Sequence, residues 1–174
     1  YQYDTSTSTW SVKGQDIIFG VDERIPGFGH QLSMNDTGDV ISVCQEGGFH
    51  SWMKPSRLLV FEYDNGTDTW IQRGQTIIGS NINSSGYSES YGQMQEGDEE
   101  EFLYTQTYRR FDPLFGSLSP DGNTLVVKGN GVNRVFTWNT TTGLWDQRGA
   151  DIMYYGGWGG VHITQDTNTL VFSD

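Results

Sequence analysis

The chain has 174 residues, 34% of them hydrophobic and 14% aromatic, with 23 glycines and only four prolines. That length suits one ordinary domain with a buried core, and the composition predicts short strands and tight turns rather than a disordered polymer. Acidic residues outnumber basic ones 22 to ten, for a net charge of −12, which repels a phosphate backbone and argues against nucleic acid as a partner.

In chain order, the first predicted elements lie in YQYDTSTSTWSVKGQDI (1–17), an aromatic strand, a polar turn and a tryptophan strand. The same pattern returns without a gap in FEYDNGTDTWIQRGQTI (61–77) and FTWNTTTGLWDQRGADI (136–152). Trp10, Trp70 and Trp145 coincide, as do Lys13, Arg73 and Arg148, then Gly14, Gly74 and Gly149. A second piece follows each: LSMNDTGDVISV (32–43), LSPDGNTLVV (118–127) and ITQDTNTLVF (163–172). Each reads as a strand end, an Asp/Asn/Gly turn and a new apolar strand, which is hairpin chemistry.

Four short strands per unit, in about 40–50 residues with the connections, match the size of a propeller blade. The expectation is an all-β fold: a β-propeller-like array of about three four-stranded blades in one domain. The blade-like units are expected at 1–58, 59–133 and 134–174, with insertions at 44–57 and 80–110. Three blades fall short of the roughly four to eight that close a propeller. Because the first unit starts mid-strand at Tyr1 and the last stops at Asp174, two expectations stand. The chain is part of a larger propeller, or several copies complete a ring or join edge to edge.

The spacing from Tyr3 to Trp10 and from Tyr63 to Trp70 resembles the kelch repeat. Together with W-x-Q-x-G-x-D-I in WDQRGADI, it most resembles FG-GAP/kelch-like propeller repeats of secreted or cell-surface proteins in marine bacteria and unicellular algae. That resemblance implies a scaffold fold and says little about function. The calcium loop of integrin-type FG-GAP blades is missing from this sequence, so no family metal site carries over.

Asn35, Asn65, Asn83 and Asn139 each open an Asn-x-Ser/Thr acceptor for N-linked sugar in an expected turn or insertion. Single sequons arise readily because turns favour Asn, Ser and Thr; four in expected surface loops favour an extracellular glycoprotein. Trp52, Arg109 and Arg110 sit in the aromatic insertions FHSWMKP and YTQTYRRFDPLF. They are candidates for partner or sugar contact, or they simply pin those insertions down.

The acidic run EGDEEE (96–101) reads as a solvated loop, with Ca²⁺ or a basic partner as the minority reading. His30, His50 and His162 lack the spacing of a zinc site, so neither metal nor cofactor is expected. The single cysteine, Cys44, excludes a disulfide within the chain and reads as a small buried hydrophobe, an interchain bridge being the alternative. No run of about 18 apolar residues is available to cross a membrane.

Nucleophile, zinc-protease, phosphate-loop and dinucleotide motifs are all missing from the sequence. The leading expectation is a non-catalytic extracellular or cell-surface glycoprotein that contacts proteins or glycans. One alternative is a structural subunit of an extracellular filament or coat, its partners copies of itself joined at blade edges. A carbohydrate-active enzyme is the other.

Overall fold

The computed structural model describes residues 1–17, 28–45, 56–78, 115–129, 131–154 and 160–173. Those residues are all-β, built entirely from antiparallel pairings. A hairpin comes first, β1 (Gln2–Asp4) with β2 (Thr9–Ser11). The next sheet runs β3 (Phe28–Met34), β4 (Val40–Gln45), β5 (Arg57–Asp64) and β6 (Thr69–Gln72) in order, with β7 (Ile77–Ile78) also on β5. A second sheet repeats that plan with β8 (Phe115–Leu118), β9 (Thr124–Lys128), β10 (Gly131–Asn139) and β11 (Leu144–Gln147), and β12 (Ile152–Tyr154) on β10. A hairpin of β13 (Val161–Ile163) and β14 (Leu170–Phe172) ends the described chain.

This order corrects the phase of the repeat. Units at 59–133 and 134–174 would begin a sheet with the aromatic strand, whereas β5 and β10 are third strands. Cys44 pairs with Leu58 and Gln45 with Arg57, so pairing crosses the proposed boundary near residue 58. The expected insertion 44–57 likewise starts and ends inside paired strands, at Cys44, Gln45 and Arg57. The two larger sheets therefore lie within 28–78 and 115–154, and the first and last hairpins are two-stranded among the described residues. By position, β1–β2 correspond to third and fourth strands, and β13–β14 to first and second.

Burial explains why the inner strands are continuously apolar. Leu58, Leu59 and Val60 in β5, and Leu125, Val126 and Val127 in β9, are all buried, the pattern of strands covered on both faces. Alternation then assigns the faces of β9. Leu125 and Val127 join Val40, Cys44, Leu58 and Val60 of the preceding sheet in one core, while Val126 joins Val135 and Val161 in another. β8 packs on β3 and β4, and β13 packs on β8 and β9. A sheet is thus sandwiched between its neighbours. Burial also pushes the Cys44 thiol up to about 12, as expected for a small core residue.

The outer strand of each whole sheet is broken once. β6 pairs with Phe61–Asp64 and β7 with Arg57–Leu58 of the same strand, with Arg73–Thr76 between them. β11 and β12 flank the corresponding break along β10, at 148–151. The break carries the repeated [KR]-G-[QA] segment out of its own sheet and against the next.

Candidate functional site

Arg73, Gly74 and Gln75 form a joint with the following sheet in which every side chain, or its lack, has a stated task. Arg73 donates to the Gly122 carbonyl at 3.2 Å and to Asn123 Oδ1 at 2.7 Å, both in the turn between β8 and β9. Its guanidinium lies 4.6 Å from the ring centre of Trp138 and 5.6 Å from that of Trp145, a planar cation stacked on an aromatic pair. Burial lowers its pKa, which charges on Glu62, Asp39 and Asp121 act to raise. Nε sits 3.7 Å from Glu62, an ion-pair distance too long for a hydrogen bond.

Gly74 has φ of +79°, and a Cβ there would meet Trp145 Cδ1 at 2.8 Å and Trp138 at 2.9 Å. Only glycine both accepts that backbone and lets the indole come so close. The indole Nε1 in turn donates to the Arg73 carbonyl at 2.9 Å. Gln75 completes the joint by holding the Trp145 backbone at two points, through Oε1 and Nε2. Trp145 is consequently buried to 2% exposure.

The same joint is made one repeat earlier. Lys13 donates to the Gly38 carbonyl at 2.8 Å and lies 4.5 Å from the Tyr63 ring centre. Trp70 Nε1 donates to the Lys13 carbonyl at 3.0 Å, and Gln15 clamps the Trp70 backbone at 2.8 and 2.9 Å. Gly14 has φ of +70°, with Trp70 Cδ1 at 2.9 Å from its would-be Cβ. Lysine replaces arginine here with the same target turn, so the position selects a cation rather than a fork.

A third joint is half-made. Arg148 reaches the turn between β13 and β14, donating to the Thr167 carbonyl at 3.2 Å and to Asn168 Oδ1 at 3.1 Å. Gly149 holds the same backbone, φ +79°, yet no described residue lies within 4 Å of its would-be Cβ. The clamp position is Ala150. At the other end, Tyr3 and Trp10 make the same tilted ring pair, with centroids 5.2 Å apart against 5.3 Å for Tyr63–Trp70 and Trp138–Trp145. That pair is 45% and 67% exposed. Among the described residues, one end offers an aromatic pair with no cation on it, and the other offers a cation and glycine with no aromatic pair.

The expected partner residues Trp52, Arg109 and Arg110 lie outside the described residues, as do Asn83, His50, the acidic run 96–101 and the expected insertion 80–110. Asn65 is exposed in the turn between β5 and β6. Asn139 is half-buried at the end of β10; its Oδ1 accepts from the Thr141 and Thr142 amides and its Nδ2 donates to Asp146. Asn35 departs from the expectation of an accessible acceptor. It is 7% exposed, and its Nδ2 donates to Thr37 and to Asp39 inside the turn. A sugar on that nitrogen would displace both bonds. His162 is exposed on β13, and no metal-ligating cluster of three occurs among the described residues.

The repeat in the sequence reads its glycine as a turn or packing residue and aligns Gln15 with Gln75, but does not by itself say that the cation and the glutamine reach the next sheet. The signal was there in the comparison of Gln15, Gln75 and Ala150, a polar residue kept where the joint is complete.

No family model matches the sequence, and no curated protein matches it. One solved structure similar to the chain is from Bacteroides fragilis and is described as "a putative 6-phosphogluconolactonase". The two share 15% sequence identity with a TM-score of 0.41, over 82% of this chain and 28% of the other. The chain thus spans little more than a quarter of that protein's length, and the likeness carries no argument about activity.

Proposed function

We propose that the chain is a non-catalytic, propeller-type interaction protein of the extracellular space or cell surface, acting through protein contacts at its open blade edges. On this reading the two whole sheets are blades, and assembly with copies of itself makes the chain a structural subunit. One observation carries it. Among the described residues, the joint that links successive sheets is made twice, and its parts stand half-made at Tyr3–Trp10 and at Arg148–Gly149. Strand edges left unpaired among the described residues, beside such half-joints, pair with other strands by default.

The test of assembly is sedimentation of the chain across a wide concentration range. A species heavier than the 19.6 kDa chain that grows with concentration supports the reading, and a single species of chain mass at every concentration removes it.

The extracellular part rests on the sequons, and of the three described Asn65 fits a glycan best, being exposed in its turn. Expression through a eukaryotic secretory pathway, followed by peptide mass mapping, tests it. Sugar at Asn65 with Asn35 bare is the expected result; an unmodified Asn65 would remove the support that the turn geometry gives.

A further inference from the structure

We propose that Asn65 is a self-modifying site: the Gly66 amide nitrogen attacks the Asn65 side-chain amide, and the chain passes through a cyclic imide to aspartate and isoaspartate. The reaction needs only water, with no partner chain, enzyme or sugar, so it stands apart from the assembly reading.

Three features converge on this dipeptide. Among the described residues, Asn65 is the one asparagine followed by glycine, and glycine leaves the attacking nitrogen unshielded and its backbone free to turn. Both residues are exposed, in the turn 65–68 that joins Asp64 to its strand partner Thr69. Around Gly66, the one described atom within 4 Å of a would-be Cβ is Asp64 Oδ1, at 3.2 Å. An exposed turn with so little packed against it opens at small cost.

The equivalent turns each lack something. Asp4, Asp64 and Asn139 all accept from the amide two residues on, that of Ser6 at 2.8 Å, Gly66 at 2.8 Å and Thr141 at 2.9 Å. The residue between is Thr5, Asn65 or Thr140, so the middle turn alone puts a side-chain amide beside that nitrogen. Asn35 is buried, and the amide that follows it, on Asp36, is committed to the Pro120 carbonyl at 3.0 Å. Asp121–Gly122, the acidic counterpart of the dipeptide, is tied into the joint. Gly122 donates to the Ser119 carbonyl at 2.8 Å and accepts from Arg73.

In the first step the Gly66 nitrogen bonds to Asn65 Cγ, the Cγ–Nδ2 bond breaks, and the amide proton leaves with Nδ2 as ammonia. Water then adds to one of the two imide carbonyls. Opening at the side-chain carbonyl gives aspartate. Opening at the main-chain carbonyl gives isoaspartate, whose backbone is one methylene longer.

Asp64 is the brake on this reaction. Its Oδ1 holds the Gly66 amide, and its Oδ2 accepts from Thr67 Oγ1 at 2.9 Å. The Gly66 bond first, and then the Thr67 bond, lower its pKa and keep it ionised. The nitrogen must leave that carboxylate and shed its proton beside a negative charge before it can attack. Either product destroys the sugar acceptor, while a sugar on Nδ2 occupies the leaving group, so each modification forecloses the other. Isoaspartate also lengthens the turn that sets Tyr63 against Trp70, the ring pair on which Lys13 sits.

Peptide mass mapping of sugar-free chain from a bacterial host, held at mildly alkaline pH and labelled with isoaspartate methyltransferase, tests the proposal. Asn65 is expected to convert to both products while Asn139 persists. Gly66→Ala, tolerated because the φ of Gly66 is not positive, suppresses the conversion and keeps the sequon. Asp64→Ala speeds it severalfold at an unchanged urea midpoint. An Asn65 that lasts as long as Asn139 overturns the site. Aspartate without isoaspartate overturns the imide route, and an Asp64→Ala chain that converts no faster overturns the brake.

Discussion

Gln75 grips Trp145 across 70 residues of sequence, accepting from its amide at 2.8 Å and donating to its carbonyl at 2.7 Å. A side chain that substitutes for a neighbouring strand in this way does the work of two ladder bonds with one residue. Gln75→Ala leaves the Trp145 amide and carbonyl without that partner. We expect a loss of about 2 kcal/mol, two ordinary hydrogen bonds, read as a lower urea midpoint with an unchanged slope. Gln15→Ala acts on the half-exposed Trp70 and costs less. Equal losses at the two positions would show that burial of the clamped tryptophan is immaterial.

Gly74 and Gly149 share a φ of +79° but differ in what surrounds them. In the isolated chain, Gly149→Ala meets backbone strain of about 1–2 kcal/mol, with no described residue against the new methyl group. Gly74→Ala adds a clash with Trp138 and Trp145, bringing the cost to about 2–5 kcal/mol. Thermal or urea unfolding of the pair under dissociating conditions separates strain from packing. If the two variants prove equally stable, the indole contact at Gly74 contributes nothing.

Hydrogen bonds inside the turns hold several carboxyls below their ordinary value of 3.8. Ser119 does this for Asp121, with further help from Asn123, and Thr37 and Asn35 do it for Asp39. A lowered folded-state pKa means that the folded form binds fewer protons than the unfolded one. The stabilisation is therefore whole above the unfolded value and fades as pH falls through the folded one. Stability is expected to hold from neutral pH to about 5 and to fall below 3.8. Asp121→Asn keeps an acceptor for Ser119 but cannot titrate, so its urea midpoint should fall less steeply between pH 4 and pH 2. An unaltered slope would place the acid transition elsewhere.

Cys44 lies in the core beside Leu58, Val60 and Leu125, with its thiol pushed up to about 12 by burial. At pH 8 it is neutral and shielded. Reaction with a disulfide reagent such as dithionitrobenzoate should run roughly a hundredfold or more slower in the native protein than in urea. Rapid labelling of the native chain would contradict that burial.

Much of the fold was legible because the repeat is written in residues with local tasks. The turns at Asn35–Asp39 and Pro120–Asn123, and the tyrosine and tryptophan strands, appear where hairpin chemistry puts them. The phase of the repeat was not legible. A periodic pattern looks the same wherever it is cut, and the pairing that decides the cut, Cys44 with Leu58, lies at the edges of 44–57, which read as an insertion. The joint was hidden for a related reason. Gly74 looks like any turn glycine until Trp145 is found against it, and Gln75 looks like a solvent-facing amide until its two backbone partners are known.

The placement of the joint bears on how such chains change length over evolutionary time. Its cation, glycine and glutamine come from one repeat and its turn and aromatic pair from the next, with no contribution among the described residues from the repeat beyond. A gene segment running from one tryptophan strand to the next therefore carries one complete socket and one complete plug. Duplicating or deleting that segment leaves every remaining junction chemically whole, so the array can grow or shrink without any new residue having to be selected.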